Sequence, residues 1–221
     1  MKKLTAPVVS ALMCFFLLLM SGNGFQFMPA RAAAAVLKPT PSEEEASRYI
    51  AQYLLQNHYR KVPANDSLSQ QDFNRFLENL DGGKSYFMAS EVDRLRREVG
   101  NRIDDEFVSG NPSAGFTIYN LFLTRAREKM NFMISSLRSA KFNFNVPETM
   151  ELERKNQPWP ADRNQLQDLW RKELKYQYLN MKYAGESGKN IQSALIKSYT
   201  NRLKLLDQQK PEDAFLAFTY A

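Results

Sequence analysis

Histidine is the side chain most often asked to move a proton near neutral pH, and this chain of 221 residues contains one, His58. It stands in Gln56-Asn57-His58-Tyr59-Arg60 with no acid beside it. The local sequence therefore lacks the carboxylate that orients a catalytic imidazole, and His58 reads as structural. Cys14 is the single cysteine and falls inside an N-terminal apolar run. A thiolate nucleophile, a disulfide and a cysteine-bearing zinc site are thereby excluded for everything after that run. One histidine without cysteine cannot easily assemble a metal centre, and no cofactor is expected.

Three other groupings invite a chemical reading. Asp81-Gly82-Gly83-Lys84-Ser85 ends with the Gly-Lys-Ser of a phosphate-binding loop. That loop needs another glycine five positions before Gly83, where Glu78 stands, and a preceding strand, where the pattern is helical. The two glycines read instead as a helix stop followed by a turn. Asp104-Asp105-Glu106 could form a carboxylate cluster, but neighbours on a helix point in different directions, so the run reads as a solvated face. A serine–lysine dyad needs a lysine in a site dry enough to lose its proton. Lys84, Lys129, Lys141, Lys172 and Lys197 all stand beside polar residues, and none is singled out. No residue is assigned a catalytic, cofactor-binding or metal-binding role. Trp159 and Trp170 are the strongest candidates for important positions, each read as a core anchor.

The elements that would position these residues are helices. Residues 36–41 form an extended lead-in, because Pro39 and Pro41 exclude a regular helix. Ser42 with the following three glutamates predicts a helix start, with Ala46, Tyr49, Ile50, Tyr53 and Leu54 on its apolar face as far as Asn57. A second helix follows Ser69, carries Phe73, Phe76, Leu77 and Leu80, and stops at Gly82-Gly83. Ser90 and Asp93 open a third with Val92, Leu95, Val99, Ile103 and Phe107, which ends at Gly110-Asn111-Pro112. A fourth, over 114–139, places Ile118, Leu121, Phe122, Ala126, Met130, Met133 and Leu137 on one stripe. Residues 141–161, with Pro147, Pro158 and Pro160, predict a surface loop pinned by Trp159. Asp162 opens a fifth helix running to Gly185, and Ser187 or Lys189 a sixth through Leu206. Pro211 starts a last segment whose apolar residues, Ala214 to Phe218, run to the end at Ala221 with no closing signal. That segment is expected to need a partner surface, and the chain reads as the front of something larger. No strand pattern competes, so the fold class is all-α, an irregular bundle of about six to seven helices.

Residues 1–35 read as a cleavable signal peptide: Lys2 and Lys3, then an unbroken apolar run over 11–20, then small residues around Ala30 and Ala33. Ten residues at ~1.5 Å each reach about half-way across a ~30 Å hydrocarbon core, which argues against a membrane anchor. Bulky Leu12 and Met13 ahead of Cys14 argue against lipidation. The full chain carries 30 basic and 24 acidic residues, but removing residues 1–35 leaves 27 against 24. Such mild basicity gives no footprint for nucleic acid. The remaining domain, 36–221, is long enough to bury one substantial core. An export signal of this plain kind would deliver it to a bacterial periplasm.

Several stretches, taken in order, carry a resemblance. They are His58-Tyr59-Arg60-Lys61-Val62, Phe73-Asn74-Arg75-Phe76-Leu77-Glu78-Asn79-Leu80-Asp81, Phe87-Met88-Ala89-Ser90-Glu91-Val92, Pro158-Trp159-Pro160, Leu169-Trp170-Arg171-Lys172-Glu173-Leu174-Lys175, residues 199–206 and Glu212-Asp213-Ala214-Phe215. Together they resemble the start of the tail-specific proteases, also called C-terminal-processing peptidases. The resemblance implies a periplasmic serine protease with a Ser/Lys dyad and a PDZ domain, acting on proteins by their C-termini. Those parts lie further along in the family, so no catalytic residue can be carried over. The implied role is a non-catalytic helical domain. Its implied partners are PDZ and protease domains downstream or in trans, protein substrates of the parent enzyme, and an adaptor protein. A second reading is a stand-alone periplasmic binding protein that uses the exposed apolar helix near its end.

Overall fold

The computed structural model describes residues 35–57, 65–139 and 142–221. The expected signal peptide with Cys14, His58 with the stretch it opens, and Lys141 all lie outside the described residues, apart from Ala35. The described chain is all helix and loop, without a strand. Its helices are α1 (Pro41–Asn57), α2 (Asp66–Asp81), α3 (Ala89–Val99), α4 (Ile103–Ser109), α5 (Ser113–Ser139), α6 (Arg163–Tyr183), α7 (Gly188–Asp207) and α8 (Pro211–Thr219). The predicted fold class holds. Among the described residues, no helix is long and apolar enough to cross a membrane.

The departures from the sequence expectation lie at helix ends, where one hydrogen bond decides. Pro41, not Ser42, is the first residue of α1, and the Glu43 carboxylate accepts from the Thr40 backbone N–H at 2.8 Å and from the Thr40 hydroxyl. The buried face of α1 is also turned from the expected one. Ala46 and Ile50 pack against the first core as expected, but Glu43, Ser47 and Ala51 join them on the inward side, while Tyr49, Tyr53 and Leu54 are exposed. Asn65 caps α2 by accepting from Leu68 N–H at 3.1 Å, so the helix starts ahead of Ser69. In α3 the capping acid is Glu91, which takes the Met88 N–H at 3.1 Å, and not Asp93.

The stretch read as a third helix is two. The chain turns after Val99, with Arg102 N–H donating to Val99 O at 3.1 Å, and restarts as α4. The cap for the restart comes from another helix: the Ser69 hydroxyl oxygen accepts the Asp104 N–H at 2.9 Å while its proton goes to the Asp104 carboxylate. Periodicity continued through the break because Ile103 and Phe107 serve the same core as Val99, so the apolar pattern alone could not report the turn. Gly110 then closes α4 at φ 81°, a left-handed conformation that favours glycine.

Two hydrophobic cores share the long helix α5. Its first half joins α2, α3, α4 and α8 around Phe73, Phe76, Phe87, Leu95 and Ile118. Its second half packs against α6 and α7 around Met133, Leu137, Trp170, Leu174 and Ile191. The last helix, expected to lack a partner surface, belongs to the first core. Ala214, Phe215 and Phe218 are buried, and the Phe218 ring meets Phe76 edge-on at 5.3 Å and Phe107 at 5.9 Å. Its partner lies ahead of it in the chain: Gly115 on α5 leaves the space that the Phe218 ring occupies, and a Cβ there would sit 2.4 Å from the ring.

This packing predicts that Gly115→Val destabilises the protein by at least about 1–3 kcal/mol through overpacking. Phe218→Ala should cost about 3–5 kcal/mol through the cavity it leaves. Both are read as lower urea midpoints. Removing residues 211–221 should lower the midpoint and reduce helicity by more than the removed helix accounts for; improved solubility with unchanged helicity in the rest would contradict the burial of α8.

Candidate functional site

The densest polar construction lies in the turn between α2 and α3. Asp81, the last residue of α2, is 1% exposed. Its carboxylate accepts three successive backbone N–H groups, from Ser85 at 2.6 Å, Tyr86 at 3.1 Å and Phe87 at 3.0 Å. The Trp159 indole N–H donates to the same carboxylate at 3.1 Å. Burial pushes the Asp81 carboxyl above its ordinary range, while the Phe87, Ser85, Tyr86 and Trp159 donors act in the opposite direction. This accounts for the Gly83-Lys84-Ser85 fragment. A phosphate-binding loop aims its N–H groups at an anion, and here Asp81 supplies that anion from within the chain. Lys84, at φ 51°, lays its ammonium 3.5 Å from the centre of the Trp159 ring.

The same turn holds a serine–lysine pair that the sequence reading passed over. Lys129 is 7% exposed and donates to the Ser85 hydroxyl at 3.0 Å. The Glu173 carboxylate grips the same ammonium at 2.7 Å, and the Tyr86 ring lies 4.6 Å away. A nucleophile and its base must also be open to a substrate, and here the Lys129 ammonium is occupied by Glu173. Ser85 is itself buried, and its carbonyl accepts the Trp170 indole N–H at 2.7 Å. The arrangement is a strut joining the turn to α5 and α6, not a nucleophile and its base. A signal for it was available. Position 129 falls between Ala126 and Met133 on the buried stripe of α5, and position 173 lies beside Trp170 and Leu174. Of the other lysines considered, Lys172 pairs with Asp168 at 3.1 Å and Lys197 is exposed.

The acidic run 104–106 also departs from expectation. Asp105 is exposed, but Asp104 and Glu106 are 7% and 8% exposed. Asp104 holds Ser69, and Glu106 accepts the Ala114 N–H at 2.8 Å at the start of α5 while pairing with Arg102. They are buried because the positive ends of two helices need anions there. Among the described residues, no group of three or more His, Cys, Asp or Glu side chains is placed to hold a metal ion. Trp159 and Trp170 are both anchors as expected, and both also donate hydrogen bonds into the turn.

A second feature is a groove of about 530 Å³ between the loop over 144–152 and α6. Its floor is apolar, with Val146, Leu152, Tyr176 and Leu179, and three lysines of α6 line it. The loop is tethered by Glu148, which accepts from Arg171 at 2.6 and 3.1 Å and from Lys175 at 2.6 Å. These bonds, those of Arg171 first, hold the Glu148 carboxyl down at about 2.

The family described as the tail-specific protease N-terminal domain matches residues 50–221. Among curated proteins, the chain is similar to a tail-specific protease of Haemophilus influenzae, at 29% identity over 194 residues. The alignment covers 84% of this chain and 28% of the relative, so the chain spans less than a third of that protein.

Two predictions follow from the geometry of the ion pairs. Lys129→Met should destabilise the protein by about 3–5 kcal/mol, because it leaves Glu173 largely buried and unpaired, and Glu173→Leu added to it should recover most of the loss. Urea titration of the single and double variants measures the coupling; independent, additive effects would contradict the pairing. The Glu148 tether has a folded value below its ordinary 4.5, so its contribution is fully present above pH 4.5 and is lost as pH falls toward about 2. Hydrogen exchange of residues 142–152 should therefore accelerate across that window in the wild type, and Glu148→Gln should remove this part of the pH dependence.

Proposed function

Because this chain belongs to the tail-specific protease N-terminal domain family, we propose that it is the non-catalytic helical scaffold of a periplasmic C-terminal-processing serine protease. The observation that carries this reading is the closed state of the serine–lysine pair in the turn after α2. Lys129 is held by Glu173, Ser85 is buried, and the N–H groups that could stabilise an oxyanion are taken by Asp81. The dyad of such a protease then belongs to a part of the enzyme outside this domain.

In this role the domain offers a rigid helical body on which PDZ and protease parts pack, in the same chain or in trans. The C-terminal end of α1 that carries Leu54 and Leu55 suits such packing. It borders a cavity of about 240 Å³ lined by Leu54, Val108 and Phe218, among others. Large apolar side chains grouped in this way usually mark a surface that another body covers. The parent enzyme's protein substrates and an adaptor would meet the assembled form. A free-standing binder working through its last helix is disfavoured, since Phe215 and Phe218 are already buried.

The reading is tested by incubating the purified chain with an unfolded substrate that ends in apolar residues. Intact substrate after prolonged incubation is the expected result, and Ser85→Ala should behave identically. Cleavage that is sensitive to serine-directed inhibitors and abolished by Ser85→Ala would overturn it.

A further inference from the structure

The groove along α6 is not used by the scaffold role, and its chemistry is specific. Lys172, Lys175 and Lys182 lie along one side of α6, with Tyr176 and Leu179 between them. From Lys172 to Lys182 the helix rises about 15 Å, a length that an extended peptide covers with about five residues. The cations are not equally occupied. Lys172 faces Asp168 at 3.1 Å and Lys175 faces Glu148 at 2.6 Å. Lys182 has no carboxylate within ion-pair distance among the described residues; its ammonium instead lies 5.1 Å from the centre of the Phe144 ring. Phe144 is steadied in turn by Tyr178, whose ring centre is 5.7 Å away. The lining thus combines an apolar floor with more cations than anions, and the excess sits at the Lys182 end. Tyr183 beside it is 82% exposed and Leu152 across the groove 58%.

We propose that this groove docks an extended segment of a partner protein, about five residues long, with apolar side chains at its centre and an aspartate or glutamate that pairs with Lys182. Charge complementarity selects this occupant. A basic or purely polar segment gains nothing from the lysines or the floor, and a wholly apolar one leaves the Lys182 charge without a counter-ion. Tyr176 and Leu179 supply the apolar contact, and Lys182 fixes the direction in which the segment lies. The carboxylate is a side chain of the segment, so recognition does not depend on a free chain end. This site is separate from the face of α1, and its occupancy does not rest on the scaffold reading.

The test is fluorescence polarisation with the purified protein and dye-labelled pentapeptides, blocked at both ends, with three central apolar residues flanked by glutamates. Saturable binding is expected, weakened at least tenfold when the glutamates become glutamines and weakened progressively by salt. Lys182→Glu should lose the acidic peptide at least tenfold and gain one flanked by lysines. Lys182 is exposed and makes no ion pair among the described residues, so this variant should keep the wild-type circular dichroism and urea midpoint. Leu179→Asp should weaken acidic and glutamine peptides alike. Absence of saturable binding by the wild type at millimolar peptide would overturn the proposal. So would binding unchanged by Lys182→Glu, or Lys182-dependent binding to anionic vesicles without any to the peptide, which would identify a lipid surface instead.

Discussion

A buried backbone N–H must find an acceptor, and the turn between α2 and α3 has three in succession with no secondary structure to receive them. Asp81 accepts all three, and that solution places the rest. Once its carboxylate is fixed inside the turn, Trp159 is drawn onto it, which brings in the long loop that precedes α6. The backbone of that loop continues the attachment, with the Pro160 carbonyl accepting the Ala89 N–H at 2.9 Å. Ser85 then faces Lys129, Lys129 faces Glu173, and Trp170 closes onto the Ser85 carbonyl. One carboxylate thus organises a contact among four segments distant in sequence. Hydrogen bonds to charged groups contribute about 1.5–3 kcal/mol each, so the turn is far more than a connection between helices.

The same economy recurs through the domain. Glu43, Glu91, Glu106 and Asp213 each accept a backbone N–H at a helix start, and Asp104 is fixed there through Ser69. Glu91 does this while its carboxylate also holds Arg125, at 2.6 Å, between two side chains that are themselves mostly buried. Exposed pairs such as Lys155–Glu78 add little beside these, since solvent screens them. Buried acids in this protein are therefore architectural. Among the described residues their number does not signal catalysis, because the carboxylates of Glu43, Asp81, Glu91 and Glu106 meet backbone N–H groups and that of Asp104 meets the Ser69 hydroxyl.

Helix periodicity made most of the fold legible. The stripe from Ile118 to Leu137 on α5, the caps at Asp162 and Ser187, and the start at Pro211 all stand where the residues place them. What escaped was decided across the sequence rather than along it. Ser69 caps a helix 35 residues away, and no local pattern contains that partner. The face of α1 is turned because Ser47 bonds the Phe107 carbonyl at 2.8 Å, a requirement invisible in the spacing of Tyr49 and Tyr53. Lys129 and Glu173 were each readable as charges on a buried stripe, but only their meeting explains why both are tolerated. The acidic run at 104–106 misled for the same reason. Composition reports a charge, and packing alone reports whether it is solvated.

The seat of Phe218 against Gly115 also sets a sequence of events. The core around Met133, Trp170 and Ile191 draws on no residue beyond Leu206. That half can close without the last helix. The other half cannot, because the notch on α5 is filled only when Phe218 arrives, about a hundred positions later. Closing so long a loop carries an entropic cost that nearer contacts avoid. Without α8, Phe76 and Phe107 have an open flank, so the packing of the segments ahead of α5 is completed by a helix about a hundred residues further along the chain.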